Sequence, residues 1–258
     1  MLTSKIENPQ MFEEWIAALE TRHLADLRLQ EVTRALRALS AAYVGRRGTG
    51  VRGTLDSAGK RAAFALFYAP LHFLAAHLVV RALGAEAPPP RTIVDIGCGT
   101  GAAAAAWALA SGGAPSVAGI DRHPWAVAEA NWTYRRLGLR GRARQGDVAR
   151  LPPLAAGSAA IAAYVLNELP EPVRTRVEAR LMDAAARGTR VLIIEPIARR
   201  VSPWWEQVAS RMEAAGGRTD EWRFAVDLPE ALERLDRAAG LDHRELTARS
   251  LYCPGRAG

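Results

Sequence analysis

Val94-Asp95-Ile96-Gly97-Cys98-Gly99-Thr100-Gly101 decides the fold of this 258-residue chain. An apolar strand carrying one acid runs into three glycines at alternate positions, and an alanine-rich stretch of helical character follows. Glycine lets a backbone turn sharply and lets a ligand reach main-chain N–H groups with no Cβ in the way. The helix after such a turn points its positive end at whatever sits above it, which favours an anionic group. Outward from the turn, strand and helix signals alternate. Residues 92–96, 116–121, 142–145, 159–166, 191–194, 221–226 and 245–252 read as strands. Residues 102–110, 124–137, 171–186 and 228–239 read as helices, and Ser202-Pro203 reads as the N-cap and first turn of one more. This alternation predicts an α/β fold, a mainly parallel sheet with helices on both faces.

The chain before residue 89 is of another kind. Apolar residues recur at helical spacing over 11–19 and 24–43. Residues 45–54 are rich in glycine and arginine (Arg46, Arg47, Arg52) and read as a solvated linker or a phosphate-contacting arm. The stretch 62–80 is apolar between Arg61 and Arg81, and about nineteen uncharged residues just reach the span of a bilayer. His72, His77, Pro70 and many alanines argue instead for a buried helix, broken or kinked at Pro70. Pro88-Pro89-Pro90 ends the helical part. The expected organisation is a helical cap over 1–88 and a ligand-binding domain over 89–258.

Composition fits a globular enzyme: 49% hydrophobic and 24% charged residues. Cys98 and Cys253 are too few for a disulfide framework or a four-cysteine metal site, so no metal is expected. No signal-peptide pattern opens the chain, and a reducing, cytoplasmic setting is the default expectation. The net charge of +7 comes almost wholly from arginine, since only Lys5 and Lys60 are lysines. Such a balance suits an anionic partner, or a GC-rich genome with no such partner.

Two ligands compete for the glycine turn. Gly97-x-Gly99-x-x-Ala102, with Asp121 about twenty residues on, fits the dinucleotide fingerprint of an NAD-linked oxidoreductase. The same run resembles motif I of the class I S-adenosylmethionine (SAM)-dependent methyltransferases. Three features favour SAM. Asp95 is an acid inside the strand where dinucleotide sites usually carry an apolar residue. Asp147 follows Gly146 after a third strand. The motif lies well inside the chain, behind helices. The resemblance implies a Rossmann-like doubly wound sheet of about seven strands, ending in an antiparallel pair.

In such sheets the ligand sits beyond the carboxyl ends of the strands. By resemblance, SAM is held by Asp95, Gly97, Cys98, Gly99 and Gly101 after the first strand. Asp121 and Arg122 follow the second, with Asp121 accepting from the ribose. Asp147 and Val148 follow the third, near the adenine, and Asn167 follows the fourth. Tyr164, Asn167 and Glu168 stand nearest the transferred methyl and are the catalytic candidates. Tyr68, His72 and Trp204 are candidates for the substrate pocket.

The fourth-strand segment 163–170 lacks the Asp/Asn-Pro-Pro-aromatic motif used on planar amines, and no cysteine pair serves attack on a pyrimidine. The segment, the helical N-terminal region and Gly216-Gly217-Arg218-Thr219-Asp220-Glu221-Trp222-Arg223-Phe224 are similar to the methyltransferase-like assembly proteins of the mitochondrial small ribosomal subunit and their bacterial relatives. The iron–sulfur cysteines of the mitochondrial members are missing. The expected partner is therefore a small-molecule acceptor, slightly favoured over ribosomal RNA. The alternatives are a non-catalytic SAM-binding ribosome-assembly module and the NAD-linked oxidoreductase. The oligomeric state is not legible.

Overall fold

The computed structural model describes residues 8–45, 55–151, 153–197 and 202–255. Arg46, Arg47 and Arg52 of the arginine–glycine loop lie outside the described residues. Helices α1 (Pro9–His23), α2 (Leu29–Gly45), α3 (Ala58–Ala63) and α4 (Ala69–Leu83) come first. Strands β1 (Thr92–Ile96), β2 (Ser116–Asp121), β3 (Gly141–Gln145), β4 (Ala159–Ala163), β5 (Arg190–Glu195), β6 (Arg218–Ala225) and β7 (Glu245–Cys253) form one sheet of order β3-β2-β1-β4-β5-β7-β6. β1 to β5 are parallel, and β7 enters between β5 and β6, antiparallel to both. Helices α5 (Ala102–Ala110), α6 (Pro124–Arg136), α7 (Glu171–Ala186), α8 (Trp205–Ala214) and α9 (Glu230–Ala239) complete the described elements. α9 joins β6 to β7, so the antiparallel pair expected from the sequence is not a tight hairpin.

Alternation along each strand splits the core into two layers. Ile93, Val117, Ala143, Ile161 and Ile194 face a layer shared with α1, α2, α4 and α5. Ile96, Ile120, Ala160, Ala162 and Ile193 face a second layer with Val177 and Leu181 of α7 and Val208 and Met212 of α8. The alanines of α5 carry little bulk, so α4 lies close along it. Trp107, fully buried in α5, donates its indole N–H to the carbonyl of Ala85 at 3.0 Å. Phe12 and Trp15 of α1 pack on Phe73 of α4, with ring centroids 5.1 and 5.4 Å apart. At its other end α1 grips α6: Arg22 donates to the buried Glu129 at 2.8 Å, and His23 lies 3.1 Å from the same carboxylate. Burial pushes the Glu129 carboxyl up, but the hydrogen bonds from His23 and Arg22 outweigh it and hold the group below its ordinary range.

The apolar stretch around 62–80 lies in one continuous helical run, Ala58–Leu83. It is long and apolar enough to cross a membrane, yet 83% of its most apolar window is buried within the protein. Pro70 does not break it. The turn just before, Phe64–Tyr68, is a π-helix. Pro70 has no N–H to give and its ring crowds the carbonyl four residues back, and the wider turn accommodates both.

Most element boundaries fall within a few residues of the sequence reading, and the differences that matter lie near the carboxyl edge of the sheet. β4 ends at Ala163, not at 166, because Tyr164 leaves the sheet with a φ of +57°. α8 begins at Trp205, and Ser202 is buried instead of capping, its hydroxyl without a hydrogen-bond partner among the described residues. Burial of both Trp204 and Trp205 sets that start. Between β3 and β4 the described residues hold only the 3-10 turn Val148–Arg150. With no crossover helix there, one face of β1 to β3 stays open as a groove of about 750 Å³. Val94, Ala118 and Leu154 line it together with Arg91, Arg142 and Arg144. The free edge of β3 is blunted by Asn131 of α6, whose amide bonds both the N–H and the C=O of Ala143 at 3.0 Å.

Candidate functional site

The carboxyl ends of β1, β2, β3, β4 and β5 bring the predicted residues to one edge. The glycine turn is laid back over β2: Gly97 N–H and Cys98 N–H both donate to the carbonyl of Ile120, at 2.8 and 3.0 Å. Gly97, Gly99 and Gly101 all have positive φ. Their reasons differ. A Cβ on Gly97 would stand 2.3 Å from Cγ2 of Val165, so packing alone demands glycine there. A Cβ on Gly99 would meet only the rim of Phe64, at 3.9 Å. That space is left open by the protein, as close approach of a ligand to the Gly99 backbone requires.

Asp121 stitches the edge together. One carboxylate oxygen accepts from Gly99 N–H at 2.9 Å and the other from His123 N–H at 2.8 Å. Each oxygen keeps lone-pair capacity for a hydroxyl donor. Arg122 beside it is exposed. Asp147 caps the turn after β3, accepting from Ala149 N–H at 2.9 Å, with Val148 buried behind it. Asp95 lies beneath the glycine turn, 2% exposed, and one of its oxygens has no hydrogen-bond partner among the described residues. Burial pushes its carboxyl up to about 7, a backbone N–H from Ala104 opposes this, and Asp121 adds to it. Burial also pushes the Cys98 thiol well above its ordinary range, which fits a packing residue better than a nucleophile.

Over this floor stands a wall of half-buried rings. Phe64, Tyr68 and His72 project from the π turn and α4, with neighbouring centroids about 6 Å apart. His72 stacks on Tyr164, centroids 4.1 Å apart and planes 17° from parallel. Burial lowers His72 to about 4 and raises Tyr68 to about 12, where a bond with Ser40 opposes it. Tyr164 is pushed up as well, by burial and by Glu195. Glu168, at the end of the turn after β4, is raised to about 7 by burial and by Asp121, with Arg122 opposing. Trp204 stands apart from this wall. It is buried in the second core layer and meets the edge through its indole N–H, which donates to Asn167 Oδ1 at 3.0 Å.

Sequence reading missed two residues. Phe64 sits in an apolar run that gives it no distinguishing mark. Glu195 ends β5 as Asp121 ends β2, and an acid at a strand's carboxyl end was the available signal. Glu195 is fully buried and accepts from Leu166 N–H, Asn167 N–H and Asn167 Nδ2 at 2.9, 3.4 and 2.7 Å. Burial pushes its carboxyl to about 8, while these bonds and Arg249 favour the charged form.

The donors and acceptors at this edge fit SAM: open backbone at Gly99, carboxylates at Asp121 and Asp147, and an orphaned acid at Asp95. They fit a dinucleotide less well, because β7 runs antiparallel between β5 and β6 where dinucleotide folds continue in parallel. Residues 93–188 match the family described as "Methyltransferase domain". No curated protein matches the chain in sequence. Magnesium protoporphyrin IX methyltransferase from Synechocystis PCC 6803, solved with bound SAM, shares 19% identity and a TM-score of 0.50, over 70% of this chain and 78% of its own. A putative O-methyltransferase from Nostoc punctiforme PCC 73102 shares 17% identity and a TM-score of 0.50, over 86% and 69%. Residues 93–188 thus match a methyltransferase domain, and the fold is that of the class I methyltransferases.

Proposed function

We propose that the chain is a cytoplasmic enzyme that moves the methyl group of SAM onto a small, flat, largely apolar acceptor. The observation that carries this reading is the ring wall of Phe64, Tyr68, His72 and Tyr164, stacked beside Gly99. SAM, when bound, supplies an already activated methyl group on a sulfonium. Gly97, Gly99 and Gly101 would hold its methionine end, Asp121 its ribose, Asp147 and Val148 its adenine. The rings orient an acceptor and keep water out, which supplies most of what methyl transfer asks of a protein. His72 is neutral at physiological pH and Tyr68 stays a phenol, so the wall is uncharged. Glu168 takes the acceptor's proton; a carboxyl near 7 is matched to that task in neutral solution.

A specific observation favours a second reading, an RNA acceptor. Residues 135–150 hold six arginines and one acid, a net +5. Arg142 and Arg144 of that segment line the open sheet groove with Arg91. The likeness to small-ribosomal-subunit assembly proteins would fit that reading. One experiment separates the readings: transfer of labelled methyl from SAM to a panel of phenolic and heteroaromatic small molecules, and to bulk RNA at low and moderate salt. Small acceptors are expected to be labelled with little salt dependence. Glu168→Gln is expected to lower kcat/KM by about 10²-fold or more and to remove the limb that rises with pH through about 7, since the base works only when ionised. Labelling of RNA alone, falling with a log–log salt slope of about −0.7 per phosphate neutralised, would favour RNA. SAM binding with transfer to neither would mark a non-catalytic assembly module.

A further inference from the structure

We propose that Glu195 is a positioning residue of the methyl-transfer edge: from the end of β5 it clamps the turn after β4 against the glycine turn. The inference rests on the reading of this edge as the SAM site.

Of its own the turn at 164–168 has two backbone bonds of 3-10 type, Glu168 N–H to the carbonyl of Val165 at 3.0 Å and Leu169 N–H to that of Leu166 at 3.3 Å, and neither fixes its first residue. Tyr164 enters it at a φ of +57°, a region that L residues with bulky side chains rarely adopt. Such a conformation persists only where the surroundings fix it. Tyr164 N–H is anchored to the carbonyl of Ile194 at 2.8 Å, and the next residue on that strand is Glu195. The Glu195 carboxylate takes both backbone N–H groups of Leu166 and Asn167 on one oxygen and the Asn167 amide on the other. One buried side chain thus ties down the backbone and side chain of the turn at once. The orientation it imposes on Asn167 leaves Oδ1 facing Trp204, which donates at 3.0 Å.

What the clamp holds is part of the cofactor floor. Val165 packs onto Gly97 so closely that no Cβ fits between them. The same turn presents Tyr164 to His72 and carries Glu168. If the turn lifts, the glycine turn loses its support, the ring stack opens and the candidate base moves. Arg249 faces Glu195 across the β5–β7 register and lies 4.0 Å over the Trp205 ring, so the clamp is also tied to the base of α8.

The full chain is titrated with SAM by calorimetry while indole fluorescence is followed, for wild type, Glu195→Gln, Asn167→Ala, Trp204→Phe and the Glu195→Gln/Asn167→Ala double variant. Glu195→Gln keeps the shape but sets an amide donor against donors. It is expected to retain a cooperative thermal transition and to weaken SAM binding by about tenfold or more, the scale of a lost hydrogen bond that leaves a buried donor unmatched. Asn167→Ala is expected to do much the same. The double variant should be little worse than either single one, because both remove one coupled unit. SAM should also shift wild-type fluorescence, and the shift should shrink in Glu195→Gln and largely vanish in Trp204→Phe. Wild-type affinity in Glu195→Gln, or losses that multiply in the double variant, would overturn the clamp and leave Glu195 a core residue. If Glu195→Gln does not fold, Asn167→Ala and Trp204→Phe probe the same link from its other end, and unchanged SAM affinity in both overturns it. Failure of wild type to bind SAM would instead overturn the site reading.

Discussion

Deleting residues 1–88 is expected to leave no soluble, SAM-competent protein. The helices of that segment do not form a core of their own. Phe12, Trp15, Leu36, Phe67 and Phe73, each almost fully buried, belong to the same continuous layer as Ile93, Val117 and Ile161 of the sheet. Without α4, the buried length of α5 loses its cover, Trp107 among it, and the indole of Trp107 loses the carbonyl of Ala85. Glu129, buried and paired with Arg22 and His23, would lose both partners. An apolar surface far larger than the few hundred Å² that soluble monomers tolerate would face water. Aggregation on expression is the expected outcome. A soluble fragment 89–258 with a cooperative melt and full SAM affinity would show that the cap is an independent module.

Gly97→Ala is expected to cost about 2–4 kcal/mol of stability and most of the SAM affinity. The left-handed backbone contributes about 1–2 kcal/mol for any residue with a Cβ. The rest comes from overpacking, since Val165 is β-branched and cannot swing its Cγ2 out of the way. In a chain of this size the melting temperature should fall by roughly 5–15 °C. Gly99→Ala provides the contrast. It bears the backbone cost but meets no crowding, so it should fold nearly as well and still lose SAM, because its Cβ fills the space kept for a ligand. Thermal melts read beside SAM titrations separate the two positions. Equal losses of stability at both would contradict the different roles.

The contrast also shows what could be read without coordinates. The strand, three glycines and alanine-rich helix of 92–110 are local signals, and the right-handed crossover rule narrows the topologies that can follow from them. Asp121 and Asp147 were legible because an acid after a strand falls on the ligand edge by topology. Tyr164 was not, because nothing in its type announces a positive φ; the strand pattern ran straight through it. The open face over β1 to β3 was hidden for a related reason. An α/β pattern leads one to expect helices on both faces, but the described residues of 146–158 supply only one short turn. Glu195 shows an acid on the same edge working inward, on the neighbouring turn, and burial alone tells it from Asp121.

Binding of SAM at the edge formed by Gly99 and Asp121 underlies every role proposed for the residues around it. Calorimetry of the full chain against SAM, its demethylated product and NAD tests it most directly. SAM and its product are expected to bind in the micromolar range, about −8 kcal/mol. Asp121→Ala is expected to weaken both by about 1–3 kcal/mol, the cost of losing a charged acceptor at a buried edge. NAD should give no heat of binding. NAD binding with no response to SAM would contradict the account.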